Sequence, residues 1–274
     1  MSTENEDMLR RVDDGVLWIT LNRPDAGNAL TTAMRDELAE WMAEASADPA
    51  VRVVVLAGTG EKGFCTGADL RGPRPAAPPR PEGAPERIVG DVARTIQNGW
   101  QRLVASILDC EKPVIASVNA TAAGGGMHLA LACDLVIMAE EARFIEVFIR
   151  RGIAPDAGGA YLLARLIGPQ KAKELFFFGD DVGGAEAERL GLVNAVVPRA
   201  DLDKTVTEWA ERLAAAPTRA VGFAKWLTNR ALESDRAGAF WDEAYAQELV
   251  STTEDSKEGL AAFVERRKPD FKGW

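Results

Sequence analysis

The stretch Ala122-Ala123-Gly124-Gly125-Gly126-Met127-His128-Leu129-Ala130-Leu131-Ala132-Cys133-Asp134 decides the fold, and the apolar run 113–120 leads into it. A strand-forming run that meets three glycines and then a small, apolar helical pattern predicts a strand, a tight turn and a buried helix. The first N–H groups of such a helix have no partner within it, so they attract negative charge, and glycines let a ligand approach them. In the alternative interpretation, the glycines only allow the helix to pack closely on the sheet.

A second turn with glycines, residues 62–70, follows the apolar run 51–58. It contains Gly67, Ala68 and Asp69, and it comes directly after another predicted buried strand. Two such turns, each at the carboxyl end of a strand, could aim two main-chain N–H groups at one oxygen. That arrangement is an oxyanion hole.

Further short motifs precede, separate and follow these two turns. In chain order the motifs are Leu21-Asn22-Arg23-Pro24, Asn28-Ala29-Leu30, Gly67-Ala68-Asp69, Lys112-Pro113-Val114-Ile115-Ala116, Gly124-Gly125-Gly126, Cys133-Asp134-Leu135, Pro155-Asp156-Ala157-Gly158-Gly159, Gly191-Leu192-Val193 and Ala262-Phe263-Val264-Glu265-Arg266-Arg267. Together and in this order they resemble the enoyl-CoA hydratase/isomerase (crotonase) family, from about Gly15 to the last residue.

The resemblance implies an α/β fold in which ββα units form a spiral. It places the spiral core in residues 1–200, with a C-terminal helical region in residues 201–274. In family members that region mediates trimerisation, so we expect a homotrimer or a dimer of trimers.

Composition limits the class of protein and its partners. A chain of 274 residues that is 47% hydrophobic has enough apolar material for a large globular core, and no run is long enough to span a membrane. Residues 1–8 are polar and acidic, unlike a signal or transit peptide, so we expect a cytoplasmic protein. The net charge of −10 argues against nucleic acid or an anionic membrane as a partner.

Hydrophobic periodicity predicts the remaining elements. Strands are expected at 16–22, 51–57, 135–139, 143–147 and 191–198, and helices after a cap at Thr31 or Thr32, at 158–167 and 169–178, and in four segments at 202–214, 218–233, 237–249 and 253–267. Apolar residues at helical spacing between 88 and 107 predict one long helix. The proline-rich segment 71–86 predicts a flexible loop, which is either a plain surface loop or a mobile lid, since it leaves directly from the Gly67-Ala68-Asp69 turn. The family resemblance implies that this segment borders the acyl pocket.

Three cysteines, Cys65, Cys110 and Cys133, lie in apolar runs without metal-ligand spacing. Their odd number and their surroundings indicate reduced packing residues. Cys65 precedes the second glycine turn, so a catalytic role for it is the alternative.

The family resemblance assigns the two oxyanion donors to the backbone N–H groups of Ala68 and Gly125. Such donors suit a thioester, because removing an α-proton or adding a nucleophile at the β-carbon places negative charge on the carbonyl oxygen. This chemistry requires no metal and no cofactor beyond the coenzyme A moiety of the substrate.

The side chains depart from the hydratase pattern. Family hydratases carry one glutamate three residues after the middle glycine and a second before the Pro-x-x-Gly-Gly turn, whereas this chain has His128 and Phe148 there. His128 is the only histidine, and it serves either as an acid, base or donor to the acyl group or as a satisfied core residue.

Two carboxylates remain as candidates. Asp156 occupies the turn position where several family isomerases and a dehalogenase carry a catalytic aspartate, although a carboxylate beside a Gly-Gly helix start could also be an N-cap. Glu146 is expected to be solvated or salt-bridged, and it could supply a second carboxylate if the local register shifts.

For coenzyme A, the resemblance indicates Arg23 and Ala26 near the nucleotide, main-chain groups around Ala68 and Asp69, and a pair near the C-terminus. That pair is Phe263 and Arg266, from the same chain or a neighbouring subunit. The alternative for the cation is an ordinary solvated residue at a helix end.

These assignments favour an acyl-CoA enzyme in which Asp156 moves a proton on a stabilised enolate, with isomerisation favoured over hydration. One alternative is a hydrolase or dehalogenase-like enzyme that depends on both His128 and Asp156. Another is a protein that binds acyl-CoA without turnover.

Overall fold

A computed structural model describes residues 6–72, 80–85 and 88–274. Residues 73–79 and 86, which make up much of the predicted proline-rich loop, lie outside the described residues. The described parts of that loop, 71–72 and 80–85, form neither helix nor strand.

Two sheets carry the glycine turns. Their strands, in chain order, are β1 (Met8–Asp13), β2 (Val16–Leu21), β3 (Val53–Gly58), β4 (Gly63–Cys65), β5 (Val114–Val118), β6 (Thr121–Ala123), β7 (Leu135–Ala139), β8 (Arg143–Ile145), β9 (Asp181–Gly183) and β10 (Ala195–Val197). The larger sheet has the order β1-β2-β3-β5-β7-β10 and the smaller one β4-β6-β8-β9. Pairing is parallel except for β1 with β2 and β8 with β9.

Helices cover the sheets and form the C-terminal region. They are α1 (Thr32–Ala47), α2 (Asp91–Ile96), α3 (Arg102–Leu108), α4 (Gly125–Ala132), α5 (Gly159–Phe178), α6 (Gly184–Leu190), α7 (Arg199–Ala214), α8 (Thr218–Ala231), α9 (Arg236–Ser251) and α10 (Glu254–Glu265). Thr31 caps α1 by accepting a hydrogen bond from the Met34 N–H, and a non-helical Gly168 divides α5 where the sequence predicts two helices. No helix in the described part of the chain is both long and apolar enough to cross a membrane.

Two predictions about elements need correction. Strand β1 pairs with β2 in a segment for which the sequence predicted no strand. The single helix predicted over 88–107 is wrong, because Gly99 has non-helical dihedral angles between α2 and α3. A Cβ at Gly99 would overlap the guanidinium of Arg35, so the glycine lets a side chain of α1 occupy the break.

The core explains the apolar runs. Every residue of α4 is buried, and it lies between the sheets and α3 and α5. Helix α7 packs on β2, β3, β5 and β7 through Leu202, Val206, Ala210 and Ala214, which belong to the same hydrophobic core. The domain division at residues 200 and 201 stays a prediction.

A buried ion pair joins α8 to this core. The Lys225 Nζ lies 2.9 Å from Asp134 Oδ2 and donates to the carbonyl oxygens of Ile107 and Lys112. The Lys225 side chain is only 7% exposed, and Asp134 also accepts from the Val114 N–H. Burial raises the pKa of Asp134, and Lys225 opposes that rise.

We expect Lys225→Met to lower the free energy of unfolding by about 3 kcal/mol, because it leaves a buried carboxylate without its cation. The folded-state pKa of Asp134 is already above its usual value and rises further, so the loss is largest at neutral pH and shrinks as Asp134 becomes protonated at lower pH. Urea denaturation of both proteins at neutral pH and at a lower pH, where Asp134 is protonated, measures this loss of stability.

The matched control is Lys204→Met, which removes an exposed partner of Glu208 on α7 and should change the stability by less than about 0.5 kcal/mol. Equal losses for the two variants would show that the buried pair contributes no more than a surface pair.

Candidate active site

The Ala68 turn, within residues 62–70, is held by the loop before α1. Leu30 forms a parallel bridge with Ala68, in which the Leu30 N–H donates to the carbonyl of Gly67 and the Asp69 N–H donates to that of Leu30. In such a bridge the N–H of the central residue points away from the partner strand. The N–H of Ala68 therefore makes no backbone hydrogen bond within the described residues.

The Gly125 turn lies at the start of α4. Gly124 has a φ of 53°, and its N–H donates to the carbonyl of Ile145. The N–H of Gly125, the first residue of α4, donates to no backbone carbonyl among the residues described. Its donor is thus available at the positive end of the helix dipole.

Close backbone contacts bring the two turns together. A Cβ built on Gly67 would lie 3.5 Å from the Gly125 nitrogen, and one built on Gly126 would overlap the carbonyl oxygen of Cys65. Trp100 covers the turn, because its ring would lie 2.9 Å from a Cβ on Gly125. These glycines are needed because any side chain would separate the two turns.

A buried histidine–glutamate pair lies one helical turn after Gly125. The Nε2 of His128 is 2.7 Å from Oε1 of Glu146, and their side chains are 0% and 2% exposed. Within the described residues, His128 Nδ1 and Glu146 Oε2 have no hydrogen-bond partner.

Two further contacts hold the histidine ring. Phe148 stacks on His128 with ring centroids 5.4 Å apart and an interplanar angle of 12°. A Cβ on Gly159 would overlap the ring, so the imidazole lies against the backbone at the start of α5. The orientation of His128 is therefore fixed by a hydrogen bond, an aromatic stack and a glycine contact.

Asp156 lies in the turn that leads into α5. Ala157 and Gly158 both have positive φ, 49° and 76°, and the Gly159 N–H donates to the Asp156 carbonyl. No side chain in the described part of the chain caps α5, whose N-cap residue is Gly158, so the alternative of Asp156 as an N-cap is not supported. Burial raises the pKa of the half-buried Asp156 carboxyl; His128 lowers it and Glu146 raises it.

The cysteine alternative is not supported by the surroundings of Cys65. The side chain is completely buried at the end of β4, and burial raises the pKa of its thiol to about 12. A neutral thiol at physiological pH is a poor nucleophile. Cys65 is a packing residue.

Some of the residues predicted to bind coenzyme A meet at the Ala68 turn. The Arg23 Nη2 lies 2.9 Å from Asp69 Oδ2, and its Nη1 donates to the Ala29 carbonyl. Hydrogen bonds from the Arg71 N–H and from Arg23 lower the pKa of Asp69. Ala26 lies beside them, in the short 3₁₀ helix Pro24–Ala26. Arg23 thus braces the turn with one edge of its guanidinium, and it is only partly exposed.

Phe263 and Arg266 lie elsewhere in the chain. They are exposed at the end of α10, and the tail that follows α10 is held by Arg52, which donates to the Phe271 carbonyl. Arg52 precedes β3, whereas the Ala68 turn follows the carboxyl end of that strand. Among the described contacts, neither Phe263 nor Arg266 reaches the group formed by Arg23, Ala26 and Asp69.

Sequence reasoning did not predict two contacts at this site. It expected Glu146 to be solvated or salt-bridged, or to supply a second carboxylate after a register shift; the residue is buried and paired with His128. Trp100 was one of the apolar residues that predicted the helix over 88–107, and it also covers Gly125. The weak signal for Glu146 was its position two residues before Phe148, since both side chains reach the same imidazole.

The chain is similar to known proteins over most of its length. The sequence model of the enoyl-CoA hydratase/isomerase family matches residues 11–274. The chain belongs to this family. Its fold is accordingly the crotonase fold, and the protein is an enzyme that acts on acyl-CoA thioesters as a lyase or an isomerase.

Individual relatives of this crotonase match over nearly their whole length. A putative enoyl-CoA hydratase/isomerase of Bacillus subtilis is 40% identical over 257 residues, covering 93% of this chain and 94% of the relative. The 1,2-epoxyphenylacetyl-CoA isomerase of Escherichia coli is 35% identical over 271 residues, covering 98% and 99%. The crystal structure of an enoyl-CoA hydratase from Bacillus anthracis has a TM-score of 0.87 at 35% identity, covering 98% of this chain and 100% of that chain.

Proposed function

We propose that this crotonase moves a proton on the enolate of an acyl-CoA thioester, with Asp156 as the acid and base. The backbone N–H groups of Ala68 and Gly125 would stabilise the enolate oxygen, and two such donors in a dry site contribute several kcal/mol. No cofactor beyond the coenzyme A moiety of the substrate is invoked.

One observation carries the proposal: among the described carboxyl groups near the glycine turns, that of Asp156 is the one without a hydrogen-bond partner. Glu146 is bound to His128, whereas the Asp156 carboxylate accepts no hydrogen bond within the described residues. Burial raises its pKa toward the range in which a group both takes and returns a proton.

This residue set favours isomerisation over hydration. A 1,3-proton shift, such as 3-enoyl-CoA to 2-enoyl-CoA, requires one base on one face of the substrate. Hydration in the family's hydratases uses two glutamates to hold a water, and Phe148 replaces the second of them with an apolar ring. A shared Asp156–His128 mechanism, as in the hydrolase alternative, has no support from a hydrogen bond, because His128 pairs with Glu146.

The test is incubation of 2-enoyl-, 3-enoyl- and aromatic acyl-CoAs with the enzyme in deuterated water, followed by mass spectrometry. We expect deuterium incorporation and migration of the double bond. Net addition of water without migration of the double bond would contradict the proposal, and tight binding of an unchanged thioester would favour a non-catalytic acyl-CoA-binding protein.

We also propose a cytoplasmic homotrimer, alone or paired into a dimer of trimers. Helices α8 and α9 expose large aromatic side chains, which are Trp226, Phe240, Trp241 and Tyr245. Exposed apolar surface of this kind supports burial against other copies of the chain. Sedimentation equilibrium measures the number of subunits.

We expect Arg266→Ala to raise KM for an acyl-CoA by about tenfold, since a charge-assisted hydrogen bond to a phosphate contributes about 1.5–3 kcal/mol. The KM of the same acyl group on N-acetylcysteamine, which has no nucleotide, should not change. Lys268→Ala is the matched control, two residues further along. An equal effect on both thioesters would show that Arg266 does not bind the nucleotide.

A further inference from the structure

Glu146 is a buried carboxylate at the site, and the proposed proton transfer by Asp156 does not use it. Its carboxylate is 2% exposed and, among the described residues, has one hydrogen-bond partner, the His128 ring. Burying a carboxyl group costs free energy unless hydrogen bonds compensate for it. The second oxygen, Oε2, has no partner in the described part of the chain.

The hydrogen-bond inventory of the pair favours one location for the ring proton. With the proton on Nε2, the ring donates to the Glu146 carboxylate and Nδ1 is a bare acceptor. With a proton on Nδ1, a buried N–H would have no acceptor among the described residues, at a cost of about 1–3 kcal/mol. The surroundings therefore select the tautomer with its proton on Nε2.

The pair lies against the groups that the reaction would use. His128 is one turn after Gly125 on α4, and its ring contacts Gly159, whose N–H donates to the carbonyl of Asp156. The ionisable side chains that act on the Asp156 carboxyl are His128 from α4 and Glu146 from the segment after β8. A negative charge on Glu146 favours the protonated form of Asp156.

We propose that Glu146 is a positioning residue of this active site: it holds His128 in one orientation and in the Nε2–H tautomer, with Nδ1 bare, beside Asp156. The inference rests on the proposed function for its kinetic consequence, but the tautomer itself is independent of any activity. Phe148 and Gly159 restrict the ring to the plane in which Glu146 can accept a hydrogen bond from Nε2–H.

The decisive measurement is long-range proton–nitrogen NMR on protein labelled with nitrogen-15 histidine and carrying no histidine tag. The chain has one histidine, so a single pair of nitrogen signals reports on His128. At neutral pH we expect Nε2 at the protonated position and Nδ1 at the unprotonated one. In Glu146→Gln the amide can donate or accept, and the two signals should move toward averaged positions. Glu141→Gln, an exposed neighbour between β7 and β8, should leave them in place.

Kinetics provides the second readout. We expect Glu146→Gln to lower kcat about 10–100-fold with little change in KM, as loss of a supporting hydrogen bond does at other sites. The acid limb of kcat should move to lower pH, because the charge that favours protonated Asp156 is removed. Glu146→Asp should restore part of the rate and keep the limb nearer the wild-type position.

The outcomes separate this inference from the proposed function. A wild-type spectrum with the proton on Nδ1, or a Glu146→Gln spectrum identical to wild type, overturns the positioning role even if the enzyme exchanges α-protons. The expected spectra in an enzyme without proton exchange support the positioned histidine while refuting the proposed reaction. The wild-type spectrum alone decides the tautomer if Glu146→Gln does not fold.

Discussion

Asp156→Asn is expected to reduce proton exchange and double-bond migration by about 10²–10⁴-fold, the usual contribution of a positioned acid or base. The amide has nearly the same shape but cannot take a proton, and the turn that holds it depends on the backbone of residues 156–159. Folding and KM should therefore change little. Deuterium incorporation measured by mass spectrometry, beside the urea midpoint, checks both statements.

The pH dependence adds a second signature of Asp156. Because burial raises the pKa of Asp156, the rate should begin to rise at a higher pH than it would with an exposed aspartate as the base. This rise with pH should be absent from the residual rate of Asp156→Asn. Asp180→Asn, an exposed aspartate beyond the other end of α5, is the control and should behave as wild type. Undiminished exchange in Asp156→Asn would assign the base to another group.

Gly126→Ala is expected to have the largest effect on the architecture of the site. Its Cβ would overlap the carbonyl oxygen of Cys65 and lie 2.9 Å from the Cys65 Cβ, and backbone atoms cannot rotate away as a flexible side chain can. The Ala68 turn would have to separate from α4. We expect a loss of about 3 kcal/mol in unfolding free energy and at least about 100-fold in activity, as when an oxyanion donor is lost.

The matched control for this variant is Gly183→Ala. Gly183 has a φ of −74°, and a Cβ built on it meets no atom within 4 Å. The same chemical change there should alter stability by less than about 1 kcal/mol and leave activity intact. Comparable activities for the two alanine variants would mean that close approach of the two turns does not matter for the reaction.

Local sequence determined much of this protein. The run of small residues at 124–132 predicted a buried helix after a glycine turn, and the described structure has α4 there. The turn containing Asp156, the halves of α5 on either side of Gly168, and the four C-terminal helices were also predicted. Such features depend on periodicity and on glycine dihedral preferences, which act between residues close in the chain.

The break between α2 and α3 depended on tertiary structure. Apolar spacing predicted one continuous helix, but Gly99 leaves the helical region where the Arg35 guanidinium of α1 lies against it. Residues 88–107 alone do not show this contact, because Arg35 lies some sixty residues earlier in the chain. Only the folded structure brings α1 against Gly99.

The partner of His128 was decided in the same way. Strand β8 pairs with β6, the strand that leads into α4, and this pairing brings the segment after Ile145 against the face of α4 that carries His128. Glu146 and His128 are 18 positions apart, and neither local spacing nor composition relates them. The sequence by itself determined the glycine turns and the helix that carries His128, because these depend on residues close in the chain; the pairing of two short strands decided that Glu146 is bound to histidine, whereas the Asp156 carboxylate accepts no hydrogen bond among the described residues.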